Sequence, residues 1–297
     1  MKVGYFPGCS LHATAREYAE SLNAIAPALD LQFDEVNDWA CCGATAAHST
    51  NRLLSVALAA RTLLLAEKQN LERVFAPCAA CYNRLASARH AVAQNKQIAD
   101  RVQTLLGEDF KNSVAVLSIA QLLSEMTAQI RDRCKKPLEN LKVACYYGCL
   151  LVRPPEICKF DDPESPSSME SISAATGATT VKWDMALECC GGGFSLSRTA
   201  SVVRLSRSIL RSARKAGAQA IVVACPMCHS NLDFRQQAIN KRETDSEPMP
   251  IIFLSQLVGL GLGLDPIRLG LERHFISPKP ILDFFGTAEL QQAGEHA

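Results

Sequence analysis

Apolar residues along this chain fall into short β-branched or aromatic runs and into longer stretches with a three-to-four-residue period. Residues 2–6 and 142–147 read as strands, each followed by a Gly-Cys turn. Residues 73–76 and 220–224 read as short buried strands that end at C-x-x-C motifs. Residues 13–29 carry Ala, Leu and Ile at helical spacing, and residues 51–69 form a second helix rich in Ala and Leu. Strand, cysteine loop, helix is the order of an α/β domain, whose sites form at the carboxyl ends of the strands. Cys9, Cys78, Cys149 and Cys225 all fall at such ends, so cysteines distant in sequence can converge. The expected fold is α/β, with small, mostly parallel sheets flanked by helices. The most apolar stretch, residues 251–264, is broken by Ser255, Gln256 and glycines. It is shorter than the roughly 20 residues of a spanning helix and reads as a buried core helix, so no transmembrane segment is expected.

The pattern also repeats. Cys9, 31 residues, Cys41-Cys42-Gly43, 35 residues from Cys42 to Cys78-x-x-Cys81 is one set. Cys149, 39 residues, Cys189-Cys190-Gly191, 34 residues from Cys190 to Cys225-x-x-Cys228 is the other. VFAPCAACYNRL from Val74 parallels VVACPMCHSNL from Val222, and VLSIAQLLSEM from Val116 parallels FLSQLVGLGLG from Phe253. Matching order across two long halves indicates duplication. The boundary is expected near Lys135-Lys136-Pro137, giving domains 1–137 and 138–297.

Composition narrows the function. With 48% hydrophobic and 21% charged residues, 297 residues can bury two ordinary cores. A formal net charge of +1 gives no electrostatic reason to expect nucleic acid as a partner. The first nine residues read as a strand entering a loop, unlike a secretory leader, so a cytoplasmic location is expected. There thiols stay reduced, and thirteen clustered cysteines point to metal or redox chemistry before disulfides. One tetrahedral ion has no use for a fifth thiolate, whereas a polynuclear cluster can place neighbouring ligands on different irons. The five-cysteine sets therefore favour iron–sulfur over zinc. No flavin or dinucleotide motif is present, since Gly191-Gly192-Gly193 lacks the G-x-G-x-x-G context.

These residues carry a resemblance. Cys-x31–39-CCG-x33–34-CxxC, present twice, resembles the CCG domain pair of the HdrB family, the cysteine-rich component of heterodisulfide reductases. It spans nearly the whole chain, from Tyr5-Phe6-Pro7-Gly8-Cys9 through Tyr147-Gly148-Cys149 and Cys225-Pro226-Met227-Cys228-His229 to residues 254–260. The resemblance implies two noncubane 4Fe–4S clusters. Cys9, Cys41, Cys42, Cys78 and Cys81 would bind one; Cys149, Cys189, Cys190, Cys225 and Cys228 would bind the other. It implies an oxidoreductase subunit that makes or breaks S–S bonds between the clusters in one-electron steps. It also implies an HdrC-like ferredoxin-type subunit and, behind it, an HdrA-like flavoprotein, this chain itself binding no flavin or NAD. Methanogen relatives often carry Pro after the first cysteine pair, where this chain has Gly43-Ala44-Thr45. That departure, with the Ala- and Arg-rich composition, tilts the reading towards the bacterial sulfur-oxidation form and a lipoate-binding carrier protein as partner. The alternative is an electron-transfer iron–sulfur subunit of a quinone-linked dehydrogenase of the same superfamily; a third reading is a zinc-stabilised scaffold.

Other residues have weaker claims. His48 and His229 follow cysteine motifs and are candidates to donate protons or to hydrogen-bond cluster sulfurs, against a reading as first-turn histidines near the surface. Arg153 is a candidate for an anionic substrate group, against a structural ion pair. Cys145 reads as a buried small hydrophobe, Cys134 as part of a basic linker and Cys158 as part of a Pro-rich segment. Residues 154–168 read as a long loop that covers the second site. Arg204, Arg207, Arg211 and Arg214 share one helical face, read as solvated or as a dock for an acidic carrier.

Overall fold

The computed structural model describes residues 1–44, 46–240 and 247–283. Thr45, part of the departure after the first cysteine pair, lies outside them. The first half runs β1 (Lys2–Tyr5), α1 (Gly8–His12), α2 (Arg16–Ala28), β2 (Gln32–Glu35), α3 (Ala46–Thr50) and α4 (Arg52–Lys68). It continues β3 (Arg73–Phe75), α5 (Ala79–Gln94), α6 (Lys96–Leu106), β4 (Ala115–Leu117), α7 (Ile119–Ser124) and α8 (Thr127–Asp132). The second half runs β5 (Lys142–Tyr146), α9 (Pro155–Cys158), α10 (Ser168–Ala175), β6 (Thr179–Thr180) and α11 (Thr199–Lys215). Then come β7 (Ala220–Val223), α12 (Pro226–Phe234), α13 (Gln236–Asn240), β8 (Ile251–Phe253), α14 (Leu254–Gly261) and α15 (Lys279–Leu282).

Each half holds one four-stranded sheet, ordered β2-β1-β3-β4 and β6-β5-β7-β8, with every pairing parallel. The inner strands are short apolar runs because helices cover both faces: β5 after its first residue, and all of β7 and β8, are buried. The repeated text around Ser118 and Phe253 marks one junction used twice. Gln121 Oε1 accepts the Ser118 N–H at 2.8 Å and Gln256 Oε1 accepts the Phe253 N–H at 2.8 Å, so a side chain starts each helix where a strand ends. Residues 251–260 are therefore not one buried helix: Ile251–Phe253 extends the sheet and the helix starts at Leu254. Residues 154–168 are not all loop, since they include α9, and the loop expected after β1 opens with α1.

The halves pack with a local two-fold symmetry. α2 follows the first strand of its half and packs on α14, which follows the fourth strand of the other half. α10 and α7 make the reciprocal contact. At the first contact Tyr18 stacks on Phe253, with centroids 4.0 Å apart and planes within 6°. Ser21 and Ser255 share a buried hydrogen bond of 2.6 Å beside it.

Candidate functional site

In each sheet the chain order reverses between the first and third strands, and the crevice at their carboxyl ends is where open α/β sheets bind ligands. Cys9 follows β1 and Cys78 follows β3; Cys149 follows β5 and Cys225 follows β7. The paired cysteines arrive on the loops after β2 and β6, the neighbouring strands. The duplicated topology thus brings the five cysteines of each half to one sheet edge.

Local conformation explains the glycine of each CCG. Gly43 and Gly191 have φ of +72° and +82°, a left-handed turn that L side chains resist. The turn folds the glycine N–H back onto the first cysteine of the pair, with Gly43 N to Cys41 Sγ at 3.5 Å and Gly191 N to Cys189 Sγ at 3.3 Å. Within each pair one thiol is exposed, Cys41 or Cys189, and the other is buried, Cys42 or Cys190. The buried member meets the last cysteine of its own set: Cys42 Sγ lies 3.4 Å from Cys81 Sγ, and Cys190 Sγ lies 3.5 Å from Cys228 Sγ. Cys149 Sγ lies 3.8 Å from Cys189 Sγ. Cys78 contacts Cys225, its equivalent in the other half. Equivalent atoms meet only near a two-fold axis, so the axis passes between the two sets.

Hydrogen bonds favour the anionic form of selected thiols. Those from Cys41 and Cys81 pull Cys42 down to about 3, and those from Cys149 and the backbone of Gly191 and Gly192 pull Cys189 down to about 6 despite burial. Thiolate is the form that ligates metal. All five cysteines of the second set line one cavity of about 190 Å³. Ala79, Ala80, His48 and Arg84 of the first half help close it. Among the described residues no three His, Cys, Asp or Glu side chains are grouped for a single metal ion. A soft, all-thiolate donor set spread along a crevice fits a polynuclear iron–sulfur group.

The remaining candidates part company. His48 lines the cavity, with Nδ1 2.8 Å from Arg84 Nη1. His229 is not near the surface: its ring is buried on Phe253, centroids 4.4 Å apart, and Nε2 lies 3.0 Å from the Ile251 carbonyl. That hydrogen bond and stacking commit its ring to β8. Arg153 donates to the Pro163 carbonyl at 2.7 Å and pairs with Glu164 at 3.3 Å, holding the 154–168 segment to itself. Cys145 is fully buried on β5; Cys158 is buried and takes a contact from Asn83 Nδ2 at 3.6 Å; Cys134 is half-buried, its thiol 3.6 Å from the Thr176 carbonyl. On α11, Arg204 and Arg211 are exposed opposite Val203, Ile209 and Leu210, while Arg214 donates to the Glu247 carbonyl at 2.8 Å.

Sequence reasoning missed Arg84 and Asn231. Each stands three residues after the last cysteine of its set, a matched position that could have drawn attention. Asn231 Nδ2 donates to the Cys190 carbonyl at 3.2 Å and approaches Cys190 Sγ at 3.6 Å, while the Arg84 charge acts on Cys42.

Comparison with known proteins agrees with this geometry. The cysteine-rich domain family CCG matches residues 3–86 and again 143–233. A protein of Wolinella succinogenes named 8-methylmenaquinol:fumarate reductase membrane anchor subunit is 34% identical over 93% of this chain and 97% of its own length. The B-type component of a ferredoxin/F420H2-dependent CoB-CoM heterodisulfide reductase from Methanosarcina acetivorans is 28% identical over 93% of this chain and 94% of its own. A solved structure of a hypothetical protein from Helicobacter pylori shares the fold, with a TM-score of 0.76 at 12% identity. It covers 93% of this chain, which spans 52% of that longer one. No helix among the described residues is long and apolar enough to cross a membrane.

Proposed function

The chain belongs to the family of cysteine-rich CCG-domain proteins, and from that premise we propose that it is the sulfur-acting iron–sulfur subunit of a heterodisulfide-reductase-like complex. In this reading Cys9, Cys41, Cys42, Cys78 and Cys81 hold one noncubane 4Fe–4S cluster, and Cys149, Cys189, Cys190, Cys225 and Cys228 hold the other. When bound, such clusters supply single electrons and iron sites that accept thiolates. The S–S bond of a disulfide, persulfide or lipoate-bound sulfur would be made or broken between the two sets. The observation that carries this reading is the meeting of two complete five-cysteine sets across a local two-fold axis, with a cavity from both halves beside it. The protein's own groups prepare that place. The Gly43 and Gly191 amides and the Asn231 amide direct N–H groups at the Cys41, Cys189 and Cys190 sulfurs. Leu150, Met227, Ala79 and Ala80 give the cavity an apolar lining that keeps water away from the reacting sulfur. Electrons would pass through an HdrC-like subunit and an HdrA-like flavoprotein. We also propose a cytoplasmic setting, and Pro137 as the end of the first domain.

A second reading has one observation in its favour, the 34% identity to a quinol:fumarate reductase anchor subunit. There the cysteine sets would conduct electrons and bind no thiol. Anaerobic iron, zinc and sulfide analysis, with EPR before and after adding thiols and a dihydrolipoyl carrier, separates the two. We expect about eight irons per chain and a thiol-dependent paramagnetic signal. About four irons with zinc, or a signal that ignores every thiol, would transfer the protein to the second reading.

A further inference from the structure

Cys9 and Cys149 hold equivalent places in the two sets, yet the chain supports them differently. Cys9 lies inside α1, and the Ala13 and Ala15 N–H groups close the end of that helix on the Ser10 carbonyl, at 3.2 and 2.8 Å. After Cys149 no helix forms until Pro155. Residues 150–153 make an irregular turn instead, with Leu151 and Val152 buried. Among the described residues no backbone N–H meets the Leu150 or Arg153 carbonyl. Carbonyls packed against the interior need a donor from elsewhere.

That donor comes from the other half. Asn83 on α5 is fully buried, and its Nδ2 donates to the Arg153 carbonyl at 2.9 Å and to the Leu150 carbonyl at 3.2 Å. A primary amide has two N–H groups, and here there are two carbonyls to meet them. Oδ1 accepts from Arg84 Nη2 at 2.9 Å. This fixes which end of the amide faces the turn, because a flipped amide would set donor against donor. The duplication pairs Asn83 with Ser230, which is exposed and makes no such bond among the described residues. The support therefore runs one way, from the first half to the second. Asn83 stands two residues after Cys81, the last cysteine of the first set. Leu150, whose carbonyl it holds, follows Cys149 directly and lines the cavity. One amide thus ties the helix of one set to the first cysteine of the other.

We propose that Asn83 is a positioning residue for the second cysteine set: it holds the turn after Cys149 and so fixes where that sulfur meets its metal group. This rests on the reading that the second set holds a cluster. The test uses the iron-loaded protein with Asn83→Asp and Asn83→Leu. An ionised Asp and a Leu both lack the donor, so both strip the turn of its support. They act oppositely on Arg84, Asp placing a charge beside it and Leu removing its acceptor, so an effect shared by both belongs to the lost donor. Tyr82→Phe is the control. It removes another bond between the halves, from the Tyr82 hydroxyl to the Cys158 carbonyl at 3.1 Å, and leaves residues 150–153 alone. The second set's EPR signal is identified by its absence in Cys190→Ser. Both Asn83 variants should shift or abolish that signal, and hydrogen exchange across residues 148–153 should quicken roughly tenfold. Tyr82→Phe should change neither. Should one Asn83 variant fail to fold, the other and the control decide. An unchanged second signal in the Asn83 variants, or an equal shift in Tyr82→Phe, overturns the positioning role and leaves the cluster reading standing. A wild-type protein with no iron on the second set overturns the cluster reading, and the exchange rates alone then decide whether Asn83 holds the turn.

Discussion

Gly8 and Gly148 show how one atom can matter to a cysteine that is remote in sequence. Each precedes the first cysteine of its set and has a left-handed φ, +68° and +65°. A Cβ on Gly8 would lie 2.9 Å from Cys81 Sγ, and one on Gly148 would lie 3.3 Å from Cys228 Sγ. Gly8→Ala therefore meets backbone strain of about 1–2 kcal/mol and must also push aside a sulfur. Gly148→Ala meets the same strain with a looser contact. We expect Gly8→Ala to lower iron content and the thermal midpoint more than Gly148→Ala does, and equal values in both would refute the steric argument. The grouping of the motif cysteines was legible in the sequence because their spacing repeats at the ends of equivalent strands. Arg84 and Asn231 were not, because their matched positions carry different side chains and no motif includes them. His229 has the sequence position of a first-turn helix residue near the surface, and the structure buries it. Phe253, Ile251 and Glu17 cover its ring, and nothing near Cys228 in sequence announces them.

α2 is the strut of the interface, and Glu17 on its first turn is its weak point. Glu17 is only 8% exposed, near Asp233, Glu20, Arg273 and His229. Burial first, then the neighbouring carboxylates, raise its carboxyl to about 6. Burial holds His229 well below its usual value, so that ring is neutral and offers Glu17 no counter-charge at pH 7. The free carboxyl titrates near about 4.3. The folded protein thus holds this proton more tightly than the unfolded chain does. The stabilisation is complete below about pH 4 and is lost as pH rises through about 6. Glu17→Gln removes the charge and keeps the shape, so it should stabilise the protein by on the order of 1 kcal/mol at pH 7. The gain should vanish towards about pH 4 in thermal melts; a difference constant across that range would place the cause elsewhere. Elements were legible where the pattern was apolar and long, as in α2, α4 and α11. β2, with the sequence Gln32-Phe33-Asp34-Glu35, is a polar edge strand and carries no such pattern. β6 has two residues, and β8 merges with the apolar helix that follows it.

For the whole molecule, repetition in the sequence disclosed the two halves but not how they face one another. The facing is set by contacts between non-equivalent elements, α2 with α14 and α10 with α7, which a search for matching text does not reveal. Its consequence is chemical. Cys78 and Cys225 meet near the two-fold axis, whereas Cys42 and Cys190 each contact a cysteine of their own set. The ten cysteines are then unequal in a way that substitutions can read. Cys42→Ser and Cys190→Ser should each remove about half of the iron and leave the other half's EPR signal unchanged. Cys78→Ser and Cys225→Ser should also alter the signal of the intact set, because the substituted atom lies against that set's own ligand. Unchanged iron in Cys42→Ser and Cys190→Ser would remove those cysteines from the ligand sets. A strictly local effect of Cys78→Ser and Cys225→Ser would show that the sets act as two separate centres, and the proposed chemistry between them would lose its structural basis.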